Sequence, residues 1–279
     1  MARPLRVEYQ NAYYFVTSKG NASQRVFISS DDGKLWMNTF ESVCSRFGWI
    51  CHAYCLMGNH YHIVVETPKA NLSAGMRQLN GVYTQAFNRK HNRSGHLFTG
   101  RFNSVIFQKE KYLKRVIRHT LSNPVRKGLI TSPVQWKWSS CRASSGKESV
   151  SFINPLAISS IFGGGTEFEK FISTPEQNSI RSEIKNQIYL GDRDFIERSS
   201  KFASVKHSKE IPAEQRMTLK SVKRFVSGIT DRNEAVFAAY RSGEFSMKEI
   251  SDHFGIHYST VSRIVSEHEN SFSEFRKTG

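Results

Sequence analysis

The chain has 279 residues, 38% apolar and 12% aromatic, which is enough for one large domain or two modest ones and excludes a disordered tail. Its net charge of +16 is concentrated at the front: residues 1–140 carry 20 Lys/Arg against 6 Asp/Glu, whereas residues 141–279 carry 20 against 18. Clustered cations interleaved with Tyr, Phe and Trp point to a partner made of phosphates, because basic side chains attract polyanions and aromatic rings stack on bases.

No run approaches the roughly 20 apolar residues of a membrane span, and "MARPLRVEYQ" lacks an apolar signal core. Cys44, Cys51, Cys55 and Cys141 do not have the spacing of a disulfide-stapled secreted domain, so a reducing cytoplasm is the expected setting.

In chain order, "AYYFVTS" (12–18) and "GWICHAYCLM" (48–57) read as strands from their aromatic and β-branched content. Between them Trp36, Phe40, Val43 and Phe47 recur at helical spacing. "HYHIVVE" is a third strand, and the short turn before it implies a hairpin. Asn71 is placed to cap a long helix whose stripe is Leu72, Met76, Leu79, Tyr83 and Phe87. "GHLFTGRFNSVIFQ" is strand material, and "KEKYLKRVIRHTLSNPV" is a second long helix stopped by Pro124. This order predicts an α+β fold: a ferredoxin-like split βαβ antiparallel sheet with helices on one side, ending near Ala143. Residues 144–205 read as a helical extension that includes "NQIYLGDRDFIERS", and 206–217 as a linker.

Residues 218–279 form an all-α domain with three helical patterns broken at Gly243 and Gly255. Ser246 and Glu249 match a capping box, and Ile250, Phe254, Ile256, Val261, Ile264 and Val265 would hold two short helices across a tight turn. This helix-turn-helix pattern would put Tyr258, Ser259, Thr260, Ser262 and Arg263 into the major groove of duplex DNA. A helical bundle without DNA is the competing reading.

In "GNHYHIVVE", residues two apart on a strand share a face about 6.5–7 Å from each other, so His60 and His62 can converge on one ion while Tyr61, Ile63 and Val65 face the core. A lone pair of this kind is commonly structural. "CHAYCLMGNHYH" also offers Cys51 and Cys55 for a structural zinc, although Cys51, Ala53 and Cys55 alternate like one buried strand face. On the second long helix Leu113, Val116, Ile117, Thr120 and Leu121 form the buried stripe, and Tyr112, His119 and Asn123 cluster on its flank. Asn123 either supplies an amide oxygen as third metal ligand or caps the helix before Pro124. Arg77, Arg89, Lys90, Arg93 and Arg101 are candidates for a groove that follows a nucleic-acid backbone.

"CLMGNHYHIVVETPKANLSAGMRQLNGVYTQAFNRKHNRSGHLFTGRF", with "SNPVRKGLI", "WKWSSCRA" and "YLGDRDFIERS" downstream, resembles the HUH single-tyrosine transposases, above all the REP-associated tyrosine transposases. The resemblance spans residues 1 to about 200, with His60, Tyr61 and His62 as the HUH triplet. It implies a ferredoxin-like domain, usually dimeric, that takes single-stranded or hairpin DNA. It further implies a divalent metal, Mg or Mn, on His60, His62 and Asn123, and a tyrosine that forms a covalent 5′-phosphotyrosine.

The family pattern, Tyr-Ile-His-x-Asn-Pro-Val, meets this chain as His119-Thr120-Leu121-Ser122-Asn123-Pro124-Val125, with histidine where the nucleophile belongs. Three expectations follow. Tyr112, two turns earlier, substitutes as nucleophile; or His119 attacks or activates water; or the chain is a domesticated DNA-binding regulator that does not cleave.

Overall fold

The computed structural model describes residues 7–175, 179–200, 202, 222–242, 245 and 247–275. It divides into two units, Met1–His207 and Ser208–Gly279. The linker read at 206–217 and the capping residue Ser246 lie outside the described residues.

The first unit runs β1 (Ala12–Lys19), α1 (Ser30–Phe47), β2 (Ile50–Met57), β3 (His60–Thr67), α2 (Leu72–Lys90), β4 (Asn103–Phe107) and α3 (Lys109–Leu121). It continues through α4 (Asn123–Arg126), α5 (Cys141–Ser144), α6 (Pro155–Phe162), α7 (Gly165–Ser173), β5 (Tyr189–Leu190) and α8 (Arg193–Ser200). Up to α3 this is the order expected from the sequence. The strands form one sheet, β2-β3-β1-β4-β5, antiparallel except where β5 joins β4.

All residues from Ala12 to Val16 are buried, so β1 needs cover on both faces. Tyr14 and Val16, with Tyr61, Ile63 and Val65 of β3, pack under α1 and α2. Tyr13 and Phe15, with Val64 and Val105, pack under Leu113, Val116 and Ile117 of α3. The expected placement of helices on one side therefore holds for α1 and α2 but not for α3, because β1 is apolar on both faces. Gly75 of α2 lets the Trp49 ring come so close that a Cβ there would stand 2.2 Å from it. That contact offsets the roughly 1 kcal/mol a mid-helix glycine costs.

Three local expectations are corrected. Asn71 stands before α2 but its amide does not cap it: Oδ1 accepts from Trp49 Nε1 at 2.8 Å and Nδ2 donates to the Phe47 carbonyl at 2.9 Å, tying the helix start to the end of α1. "NQIYLG" is not helical; Tyr189–Leu190 satisfies the open edge of β4, where the Ile106 and Gln108 N–H groups donate to Ile188 and Leu190. A bulge between Cys51 and Ala53 moves Cys51 to the α1 side, opposite Val65, whereas Cys55 lies opposite His62. The two thiols thus sit on different faces, both buried, and no group of three or more His, Cys, Asp and Glu is placed to hold a metal among the described residues.

In the second unit α9 (Val222–Phe225), α10 (Arg232–Arg241), α11 (Met247–Phe254) and α12 (Tyr258–Phe275) surround Val236, Tyr240, Ile250, Val261, Ile264 and Val265. Asp231 caps α10 by accepting from the Glu234 N–H. Gly255 takes φ +61° in the connection from α11 to α12, a conformation glycine adopts without a Cβ penalty. No helix among the described residues is long and apolar enough to cross a membrane.

Candidate metal centre

The two-residue turn Gly58-Asn59 joins β2 to β3 and starts β3 at His60. The strand period puts His60, His62 and Val64 on the α3 face, and the His60 and His62 ring centroids lie 4.9 Å apart. Each ring is fixed through Nδ1. That of His60 is 2.7 Å from Asn59 Oδ1, and that of His62 is 2.7 Å from Oγ1 of Thr17, its cross-strand partner. Asn59 Oδ1 is an acceptor, so His60 Nδ1 carries the proton and Nε2 the lone pair; the Thr17 hydroxyl, acceptor as well as donor, allows His62 the same tautomer.

Helix α3 ends at Leu121 and the chain resumes as α4 across Pro124. That break brings Asn123, buried, to His60: its Nδ2 is 3.1 Å from His60 Nε2. The amide thus points to the histidine rather than capping α3. His62 Nε2 is buried and has no hydrogen-bond partner among the described residues, an arrangement that costs about 1–3 kcal/mol unless something occupies it. Two imidazole lone pairs and an amide that can turn its oxygen inward are a donor set a divalent cation accepts, so the residues present fit the metal the resemblance implies.

Electrostatics keeps the imidazoles neutral, as ligation requires. Burial, then the charges of Lys127, Arg181 and Lys19, lowers the His60 pKa to about 4. Burial holds His62 well below its ordinary value, helped by His60, His119, Arg181 and Arg126.

His119 is 2% exposed, and its ring meets edge-on the Phe15 ring that stacks on His62, at 5.7 and 5.2 Å. It therefore shares a wall with the histidine pair. Tyr112 is also buried, but its hydroxyl donates to Glu183 at 2.9 Å. The other residues singled out from the sequence are scattered. Arg77 and Arg89 are exposed on α2, across the sheet from the histidines. Lys90 is paired with Asp32 at 2.9 Å. Arg93 bonds Gln24, and Arg101 borders a cleft of about 300 Å³ with Asn21, His96, Phe98 and Gly100. In the second unit Tyr258, Ser259, Ser262 and Arg263 are exposed on α12, and Thr260 is half-buried.

Sequence reasoning missed Asn59 and Thr17, and the cations Lys19, Arg126, Lys127 and Arg181. Only Asn59, adjacent to His60, carried a local signal.

Residues 8–121 match the family model described as Transposase IS200 like. No curated protein matches the chain. Among solved structures, a REP-associated tyrosine transposase bound to a REP hairpin aligns at 15% identity over 54% of this chain and 90% of that one, with a TM-score of 0.47. A candidate transposase from Deinococcus radiodurans R1 aligns at 12% identity over 44% and 97%, with a TM-score of 0.31. The paired-histidine hairpin lies inside residues 8–121, the stretch in which this chain is similar to the IS200-like transposases.

Proposed function

We propose that this transposase-like protein binds a DNA strand, single-stranded or hairpin-ended, at a divalent-cation site made by His60, His62 and Asn123, and opens it without a phosphotyrosine link. The observation that carries the reading is the anchored histidine pair, with both Nδ1 atoms engaged and the Asn123 amide at His60 Nε2. Bound there, Mg²⁺ or Mn²⁺ would supply Lewis-acid charge to a phosphate oxygen.

The altered chemistry follows from position 119 holding histidine while the Tyr112 hydroxyl is engaged by Glu183. Water then replaces tyrosine: its oxygen joins phosphorus, the P–O3′ bond breaks, and a 3′-hydroxyl and a 5′-phosphate remain. In the second unit, the exposed residues Tyr258, Ser259, Ser262 and Arg263, with Thr260, support a duplex-reading role for α12.

Purified protein incubated with hairpin-bearing single-stranded DNA and Mn²⁺ tests this. The expected result is bound DNA and strand with a 5′-phosphate end, no protein adduct, and loss of product in His60→Ala and His119→Ala. An adduct abolished by Tyr112→Phe overturns the hydrolytic reading in favour of tyrosine attack. Binding with an uncut strand overturns cleavage and leaves a DNA-binding regulator, and no binding overturns the whole.

A further inference from the structure

Four exposed cations lie on three separate stretches of chain that pack against β3 or α3, the elements beside the histidine pair. Lys19 is the direct cross-strand partner of His60. Arg126 and Lys127 follow Asn123 within one turn, and the Lys127 N–H donates to the Asn123 carbonyl at 3.1 Å. Arg181 arrives from 58 residues beyond Asn123, on the short helical turn Ile180–Glu183.

That turn is held against α3 by two devices. Ile180 is fully buried in the core that contains Leu113, Val116 and Ile117. The Glu183 carboxylate receives the Tyr112 hydroxyl at 2.9 Å and Arg115 Nη2 at 2.5 Å. Arg181 is therefore positioned by packing and by charge-assisted hydrogen bonds, not carried on a free loop.

A ring of cations around a site suited to a divalent cation is unfavourable by itself, since each like charge opposes loading of the ion. Such an arrangement is balanced when an anion enters with the ion, and a phosphodiester supplies oxygens for both.

We infer that Lys19, Lys127 and Arg181 form a phosphate cradle that holds the backbone of the bound strand against the paired histidines, which makes the turn Ile180–Glu183 part of this site. Arg181 lies beyond the matched stretch 8–121. The inference rests on the reading that the site holds a DNA strand. The cradle contacts phosphates and reads no base.

The test is binding of unstructured oligothymidylate to the full chain across a salt series, with Lys19→Gln, Lys127→Gln and Arg181→Gln compared with Lys34→Gln at an exposed position of α1. Each cradle substitution is expected to weaken binding about three- to fivefold near physiological salt and to reduce the salt slope by ~0.7. The α1 substitution leaves both unchanged. Mn²⁺ binding without DNA stays the same or tightens in the cradle variants, because a like charge has gone; a general loss of structure would weaken it. Glu183→Gln, which loosens the turn without touching the cation, should reproduce part of the Arg181→Gln effect. If the wild type binds the oligonucleotide and Arg181→Gln changes neither affinity nor slope, the cradle is overturned while strand binding stands. If the wild type does not bind, both are overturned.

Discussion

Asn123 presents its side-chain amide to His60 Nε2 at 3.1 Å across 63 residues of chain. An amide that donates to an imidazole lone pair becomes a metal ligand by turning its oxygen inward, which needs no backbone movement. Asn123→Ala is therefore expected to weaken Mn²⁺ binding about tenfold or more, whereas Asn123→Asp, which completes a two-histidine, one-carboxylate set, tightens it. Titration calorimetry checks both. Equal Mn²⁺ affinity in the wild type and both variants would remove Asn123 from the site.

At the proposed cation site, Thr17 and Asn59 would act through the histidines they bond. Thr17→Val removes the hydroxyl while keeping the shape, and Asn59→Ala removes the acceptor at His60 Nδ1. Each should lower Mn²⁺ affinity about 10–100-fold, as loss of such supporting groups does elsewhere, at a stability cost of only about 1 kcal/mol. A merely structural role would give the opposite balance, a lowered melting temperature with Mn²⁺ affinity unchanged.

Tyr112 sits two turns before His119, a spacing that made it a candidate nucleophile, yet its hydroxyl is engaged by Glu183, and burial together with that carboxylate raises its pKa. Tyr112→Phe should cost about 1–2 kcal/mol, because a hydrogen bond to a carboxylate is lost while the ring stays packed. Hydrogen exchange localises the effect: amides of Ile180–Glu183 should exchange faster, and those of β3 should not. Unchanged exchange in the turn would mean that Tyr112 does not hold it.

The parts legible in the sequence are those set by local periodicity. The 2.0 period of "HYHIVVE" placed His60 and His62 on one face, whereas the 3.6 period after Lys109 carries Tyr112 and His119 on α3 but not Asn123, which lies beyond the end of that helix at Leu121. What pairs across the sheet was not legible: Thr17 meets His62, and Lys19 meets His60, only through the β1–β3 register, which neither strand encodes alone. The bulge after Cys51 was invisible for the same reason and reversed the expected facing of that cysteine. Arg181 was out of reach because its position depends on how Ile180 and Glu183 dock on a helix whose Arg115 and Tyr112 lie 68 and 71 residues before Glu183. Its neighbour "YLGDRDFIERS" read as helix throughout, although Tyr189 and Leu190 complete the β4 edge.

Lys90 offers a last separation of structure from function. Its ammonium, grouped with the backbone-binding cations on sequence grounds, lies 2.9 Å from Asp32 Oδ1, which also meets His91 Nε2 at 2.9 Å. Asp32 Oδ2 accepts the Ile28 and Ser29 N–H groups at the start of α1. Burial alone would raise the Asp32 pKa, but the bonds from Lys90, His91 and the two backbone groups outweigh it and hold the carboxyl well below its ordinary value. A carboxyl depressed in the folded state contributes stability that is complete above its unfolded pKa of about 4 and is lost as pH falls further. Asp32→Asn should accordingly cost the first unit about 2 kcal/mol at neutral pH, with the difference from wild type shrinking below about pH 4. Lys90→Gln should destabilise α1 and α2 in the same sense while leaving the salt slope of oligothymidylate binding at the wild-type value. Denaturant unfolding across pH, beside the salt series, reads both effects; a shallower slope in Lys90→Gln would return Lys90 to the DNA surface.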